Sequence, residues 1–253
     1  MTVCISAICT EKGEEHIVFA VDHMITTMNG EFEHSIKKYI EINKNTVGMI
    51  AGDALQMDYL MNLKNFDDDY KKLQKTFEKK IKEKRLEIIQ KSILNTFDVD
   101  IDFVKENLNE EINNPVMNKI FDRILETKLG VSILLVGFIE KKAHLSIIRE
   151  NGVHDFTTIY FAAIGSGAPQ AQNTMLFQKQ SKEDDLRTTM YNVYKAKKNA
   201  EVNRGVGKET EIGYLNNNKV VVLKEKDLKT LNNIYKDETS YGKKHENLEK
   251  LDL

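Results

Sequence analysis

The chain has 253 residues, enough to bury a sizeable core as one large domain or two small ones. Charged residues make up 30 % of it yet cancel to a formal net charge of −2, without the basic stripe that marks a nucleic-acid binder. No apolar run approaches the ~18 residues of a membrane span, and the N-terminal residues carry neither the basic nor the apolar stretch of a secretion signal, so a soluble, cytoplasmic protein is expected.

Short apolar runs at 3–8, 17–21, 36–42 and 47–51 read as strands. The turn cluster Thr10-Glu11-Lys12-Gly13-Glu14-Glu15 joins the first two as a long hairpin loop. Cys4 and Cys9 fall five apart in the first run, on opposite faces of a strand. They are poorly placed to bridge, which fits a reducing compartment. From 53 to about 127 the period turns helical, first with Leu55, Tyr59, Leu60 and Leu63, then with Phe77, Ile81 and Ile89. The charged stretch 71–84 reads as a solvated helix face. Strand character returns at 131–139, 144–148 and 157–164. Two helices over 169–178 and 183–200 follow the turn Gly165-Ser166-Gly167. Strands at 211–215 and 219–223 and a helix over 227–235 complete the pattern, and the polar stretch 236–253 is expected to be partly disordered.

No Pro- or Gly-rich linker separates the strand-rich blocks, so they are expected to share one core. An α+β architecture satisfies this order: two antiparallel sheets stacked face to face with helices on both outer faces, a four-layer αββα sandwich. Both sheets would then be buried on two faces, as the continuous apolar run Ile17-Val18-Phe19-Ala20-Val21 requires. The domain is drawn over 1–235, with a helical insertion at about 64–128 and the tail 236–253. The six His show no paired spacing and lie near no Cys pair, so no metal site is expected. Neither GxxxxGK[ST] nor a GxGxxG after a strand occurs, so no cofactor is expected either.

Chemistry gathers around three residues. If Met1 is removed, as a small second residue permits, Thr2 carries a hydroxyl and a free α-amine together. The amine's ordinary pKa of about 7.7–8 leaves it partly neutral near pH 7, able to act as the hydroxyl's base. In Ser35-Ile36-Lys37-Lys38-Tyr39-Ile40-Glu41-Ile42, alternation puts Lys38 on the face of Ile40 and Ile42. If that face is inward, Lys38 needs a partner, since an unpaired buried ammonium costs several kcal/mol. Asp22, ending the apolar run 17–21, is the candidate; the alternative is a surface lysine beside a strand-end aspartate. A lysine near Thr2 would favour the alkoxide and keep the amine neutral, and the aspartate would hold that lysine.

These residues resemble the proteasome β-type subunits, a family of N-terminal-nucleophile hydrolases, and most of all their bacterial homologues that lack a propeptide. The family has an N-terminal Thr on a first strand and an apolar strand ending in Asp. Sixteen residues on comes a Lys, and fourteen after it the Gly of an Ala-Gly turn. Asp22, Lys38 and Ala51-Gly52 keep both spacings, and Tyr160-Phe161-Ala162-Ala163-Ile164-Gly165-Ser166-Gly167-Ala168 matches the later strand running into G-S-G. The resemblance covers 2–63 and 131–235. It implies a threonine-type peptidase with no cofactor, acting on peptides or unfolded protein within a homo-oligomeric ring or spiral, with an unfoldase ATPase as a possible partner and neither nucleic acid nor membrane.

It also implies roles. Thr2 attacks the scissile carbonyl, Lys38 lowers the hydroxyl's pKa, and Asp22 orients Lys38. The Gly52 N–H stabilises the oxyanion, and Ser166 hydrogen-bonds near the Thr2 amine. Thr26 pairs with extended substrate through its backbone, and Ile25, Ile36, Ile40, Ile50 and Ala54 line the pocket beside the scissile bond. Three departures accompany it: the long first loop, the helical insertion, and the alignment of Glu201 and Arg204 with the family's second Asp and a Ser. Glu201 is carried as a carboxylate near Thr2, one methylene longer; Arg204 cannot imitate a Ser. Two alternatives stand beside the peptidase, a non-catalytic structural member of the same fold and a small-molecule amidase.

Overall fold

The computed structural model describes residues 2–27, 30–34, 37–53, 59–60, 67–107 and 115–241. It opens with a hairpin of β1 (Cys4–Glu11) and β2 (Glu14–Asp22). The turn between them is two residues, Lys12 and Gly13, both at positive φ (52° and 81°). That conformation matches the twist of paired strands. It corrects the long loop expected over 10–15, whose glutamates belong to the strands. Glu15 is half-buried there, accepting from the Ala143 N–H at 2.7 Å and pairing with Lys182 at 2.7 Å and Lys142 at 3.2 Å.

A small hairpin follows, β3 (Met24–Thr27) with β4 (Gly30–Glu33), then β5 (Tyr39–Asn43) and β6 (Thr46–Ala51). The helical region holds α1 (Tyr70–Ser92), a 3₁₀ turn at Leu94–Phe97, α2 (Ile101–Glu106) and α3 (Pro115–Glu126). Next come β7 (Ser132–Ile139), β8 (Lys142–Arg149), β9 (Gly152–Asp155) and β10 (Phe161–Ile164). The chain continues through α4 (Ala168–Phe177), α5 (Leu186–Ala200), β11 (Thr210–Leu215), β12 (Val220–Val222) and α6 (Glu225–Tyr241). The first half of the strand expected over 157–164 is instead a 3₁₀ turn at Thr157–Ile159, closed by Tyr160 at φ 68°. The last helix runs six residues past 235 into the stretch expected to be disordered, and residues 242–253 lie outside the described part.

The strands form two five-stranded antiparallel sheets, β10-β1-β2-β11-β12 and β5-β6-β7-β8-β9. Alternation along each strand sorts its side chains between two cores. Cys4, Ile8, Ile17, Phe19 and Val21 of the first sheet pack on Tyr39, Met49, Leu134, Val136 and Leu145 of the second, which stacks the sheets face to face. The opposite face of the first sheet, with Ile5, Ala7 and Val18, is covered by Ala171 and Met175 of α4 and by Val193, Tyr194 and Ala196 of α5. The outer face of the second, with Ile50, Ile133, Leu135 and Ile148, takes Leu73, Phe77 and Ile81 of α1. Helices therefore lie outside both sheets of an α+β fold. Each fully buried Val, Leu, Ile, Phe or Met side chain among these contributes about 1.5–3 kcal/mol. Cys4 and Cys9 are buried free thiols in different cores, as alternation requires.

α1 forms where the helical period was read. Asp69 caps it by accepting from the Lys72 N–H at 3.0 Å, and one face carries Lys82–Glu78 and Lys91–Glu87 pairs four residues apart. At its C-terminal end and beyond, Ile89, Ile93, Leu94, Val104, Met117 and Ile120 make a separate small core, so the inserted helices pack on one another.

Candidate active site

The tight Lys12–Gly13 turn sets the geometry at the far end of its hairpin. Cys4 opposes Val21, so one step further Val3 lies opposite Asp22. The Asp22 N–H donates to the Val3 carbonyl at 3.3 Å, and the Val3 N–H donates to Asp22 Oδ1 at 3.0 Å. On its other edge β1 pairs with β10, Cys4 opposite Ile164, which brings Gly165-Ser166-Gly167 beside Thr2. The Gly167 N–H donates to the Thr2 carbonyl at 3.2 Å. The Thr2 N–H donates to Ser166 Oγ at 3.3 Å, and the Ser166 hydroxyl donates to the Thr2 carbonyl at 3.4 Å. Gly165 sits so close that a Cβ on it would lie 2.2 Å from the Thr2 carbonyl oxygen, and its φ is +95°. Only glycine fits there without strain.

Lys38 arrives from the second sheet. It precedes β5, its carbonyl accepting from the Ile50 N–H at 2.9 Å. Its side chain is 5 % exposed and reaches the start of β1. The ammonium donates to Asp22 Oδ1 at 2.9 Å and to the Thr2 hydroxyl, which in turn donates to Asp22 Oδ1. Asp22 is wholly buried and saturated. Oδ1 takes Thr2, Val3 and Lys38, while Oδ2 takes the Met24 N–H at 3.1 Å and the Gly207 N–H at 2.8 Å. Burial alone would raise its pKa, but the Lys38 charge and the bonds from Lys38, Thr2 and Gly207 prevail and hold the carboxyl below the ordinary range. The sequence left open whether Lys38 faces inward or water. It faces inward, paired.

Thr2, Asp22, Lys38 and Ser166 thus converge. The Cys4 thiol donates to the Ile50 carbonyl at 3.4 Å, joining the end of β1 to the end of β6, two residues before Gly52. Gly52 has φ +131°, and a Cβ there would meet the Gly130 carbonyl oxygen at 2.2 Å, so glycine is required by both backbone and space. Burial pushes the Cys4 thiol far up, which leaves it an inert neighbour.

Glu201, expected as a carboxylate near Thr2, makes its side-chain hydrogen bonds to two lysines rather than to Thr2. It caps the C-terminal end of α5, where helical spacing brings it to Lys197 at 2.7 Å and Lys198 at 2.6 Å. Among the pocket residues, Ile50 is packed in the core under α1 rather than on a cleft wall, because β6 is buried on both faces. Ile25 and Ile40 are half-buried, on β3 and β5. Thr26 is paired through its backbone with Glu31 in the small hairpin. Ile36 and Ala54 lie outside the described residues.

Sequence reasoning missed Gly207, whose N–H completes Asp22, and Lys197, which is 0 % exposed. The register of β11, Thr210 opposite Asp22, brings this segment in, and no local pattern announces it. Among the described residues, no three His, Cys, Asp or Glu gather to hold a metal ion, and no helix is long and apolar enough to cross a membrane. No protein-family model and no curated protein matches the chain.

Proposed function

We propose that this chain is a threonine-type N-terminal-nucleophile hydrolase of the proteasome-like class that cleaves peptide amide bonds, working within a homo-oligomeric ring or spiral. One observation carries the reading. A buried lysine donates at once to the hydroxyl of Thr2 and to a saturated buried aspartate. Such a lysine lowers the cost of forming the Thr2 alkoxide by direct charge attraction in a poorly solvated site.

The reaction runs as follows. Thr2 Oγ1 attacks the carbonyl carbon of the scissile bond, and its proton passes to the α-amine of the same residue once Met1 is gone. Negative charge on the carbonyl oxygen is met by the Gly52 N–H; losing such a donor typically costs ~10²–10³ in rate. The amine returns the proton to the leaving nitrogen as the C–N bond breaks, leaving an ester on Thr2. Water, deprotonated by the same amine, hydrolyses that ester. Asp22 keeps Lys38 in place, and Ser166 orients the Thr2 nitrogen.

A second reading, a structural protein on this scaffold, draws on Glu201, whose carboxylate is committed to two lysines rather than to Thr2. Intact mass combined with a peptide epoxyketone or boronate probe separates them. Removal of Met1 and one adduct on Thr2, absent in Thr2→Ala, are expected of the peptidase. A retained Met1 or an unlabelled Thr2 overturns it, and turnover of small amides without peptide turnover would make the protein an amidase.

A further inference from the structure

Behind the triad lies a second buried cation that the hydrolase reading does not use. Lys197, on α5, has its side chain fully buried. Its ammonium donates to the Gly207 carbonyl at 2.8 Å, the Lys208 carbonyl at 3.0 Å and Glu201 Oε1 at 2.7 Å, so all three protons have acceptors. The segment it grips turns its opposite side toward the site. The Gly207 N–H donates to Asp22 Oδ2, and the Lys208 N–H donates to Glu33 Oε1. The fit there is close: a Cβ on Gly207 would lie 2.7 Å from both Glu33 carboxylate oxygens and 2.9 Å from the Met24 nitrogen. Asp22 is therefore held from two sides, by Lys38 on Oδ1 and through Gly207 on Oδ2.

A buried lysine is costly to desolvate, and a segment that needed only packing would be served by an apolar side chain. What an ammonium supplies, and an apolar group does not, is a fixed donor for two carbonyls whose amides face carboxylates. Glu201 neutralises it, with Lys198 completing the carboxylate at 2.8 and 2.6 Å.

We propose that Lys197 is a positioning residue: by clamping the carbonyls of Gly207 and Lys208 it fixes the Gly207 N–H on Asp22 Oδ2, so that Oδ1 stays presented to Lys38 and Thr2. Glu201 then serves the site at one remove, as the counter-charge of Lys197. This inference rests on the hydrolase reading for its consequence in catalysis, but the clamp can be observed without turnover.

The test uses the full chain, with Lys197→Met removing the clamp and Glu201→Gln, nearly isosteric and close to the surface, weakening it. Amide hydrogen exchange and the proton shift of Gly207 read the clamp, and peptide turnover reads its consequence. In Lys197→Met the Gly207 amide is expected to exchange faster and its proton to move upfield. Its kcat falls by about 10–100-fold with KM nearly constant, the loss that one hydrogen bond to a charged group corresponds to. Glu201→Gln moves the same readouts in the same direction by less. A Gly207 amide unchanged in both variants overturns the clamp, and an amide that loosens while kcat holds overturns the positioning role of Lys197. If the unaltered protein takes no epoxyketone on Thr2 while the amide still loosens in the variants, the hydrolase reading falls and the clamp stands.

Discussion

The buried pair of Lys38 and Asp22 can be tested without assuming any activity, through a double-mutant cycle of Lys38→Met and Asp22→Asn. At 2.9 Å the two charges attract by about 6 kcal/mol at an effective dielectric of ~20. Much of this is offset by their desolvation, so the net worth of the pair is small, but breaking it from one side is not. Asp22→Asn leaves an ammonium with almost no access to water and sets an amide donor against one of the N–H groups that now face a carboxylate. Lys38→Met leaves a buried carboxylate held only by the Thr2 hydroxyl and three backbone N–H groups. Each single variant is expected to lose about 3–5 kcal/mol. In a chain of this size that corresponds to a fall in Tm of roughly 6–20 °C. The double variant has no unpaired charge, and the misdirected Asn amide cancels around the cycle, so the coupling should reach about 2 kcal/mol or more. Urea unfolding of the four proteins, with equal m-values, gives the number. Losses that add to within about 0.5 kcal/mol would refute the pair, because that is how independent sites behave.

Two further outcomes follow from the same geometry. Asp22 titrates below the ordinary range, so its contribution to stability is complete above the unfolded-state value near 3.9 and is lost as pH falls through the folded-state value. In Lys38→Met burial prevails, the carboxyl rises, and acid unfolding followed by circular dichroism should begin at a higher pH than in the unaltered protein; coincident acid transitions would contradict this. Gly165→Ala forces a Cβ against the Thr2 carbonyl at φ +95° and should cost about 1–3 kcal/mol and labelling of Thr2, whereas Gly13→Ala, with open space around it, pays only the backbone strain.

How much of this was legible depends on whether the cause is local. β1, β2 and β6 are continuous apolar runs, and α1 carries its apolar side chains at helical spacing, so sequence alone reveals them. The hairpin turn was misread because Glu11, Glu14 and Glu15 look like loop residues. The partners that hold Glu15, Ala143 and Lys182, lie more than a hundred residues away. The β3–β4 hairpin has no apolar run to signal it, and Gly152–Asp155 is a short edge strand with half its residues exposed. Thr2, Asp22 and Lys38 were singled out from a terminal hydroxyl and amine, strand alternation and a buried lysine's need of a partner, with spacing matching a family pattern beside that, and the register Cys4 opposite Val21 accounts for the first two physically. Lys197 was illegible. It stands in Lys195-Ala196-Lys197-Lys198, where three lysines look alike, and only the return of the chain at 207–208 makes the middle one internal.

The choice between a catalytic and a purely structural cluster turns on the hydroxyl of Thr2. Buried ion pairs are weak evidence for stability, since apolar groups of similar volume commonly do as well. A structural account of Lys38 and Asp22 therefore needs no threonine, and a valine at position two would pack as well while removing a polar group from the interior. What the threonine adds is a hydroxyl with one proton and two lone pairs. The proton is given to Asp22 Oδ1 and one lone pair accepts from Lys38, which leaves a single lone pair uncommitted to these two partners. The bond to Asp22 fixes the hydroxyl; in the proposed attack its proton passes instead to the α-amine, and the anionic oxygen would face the Lys38 ammonium. Gly165, packed against Thr2, and Gly52, just after β6, hold backbone conformations that L side chains rarely adopt, at the ends of two strands in different sheets. Strain of that kind is tolerated where surrounding structure fixes it and costs about 1–3 kcal/mol per residue for anything but glycine. A scaffold selected for stability alone has no use for this combination. A site of the kind proposed, with a nucleophile beside its activating cation, would use it.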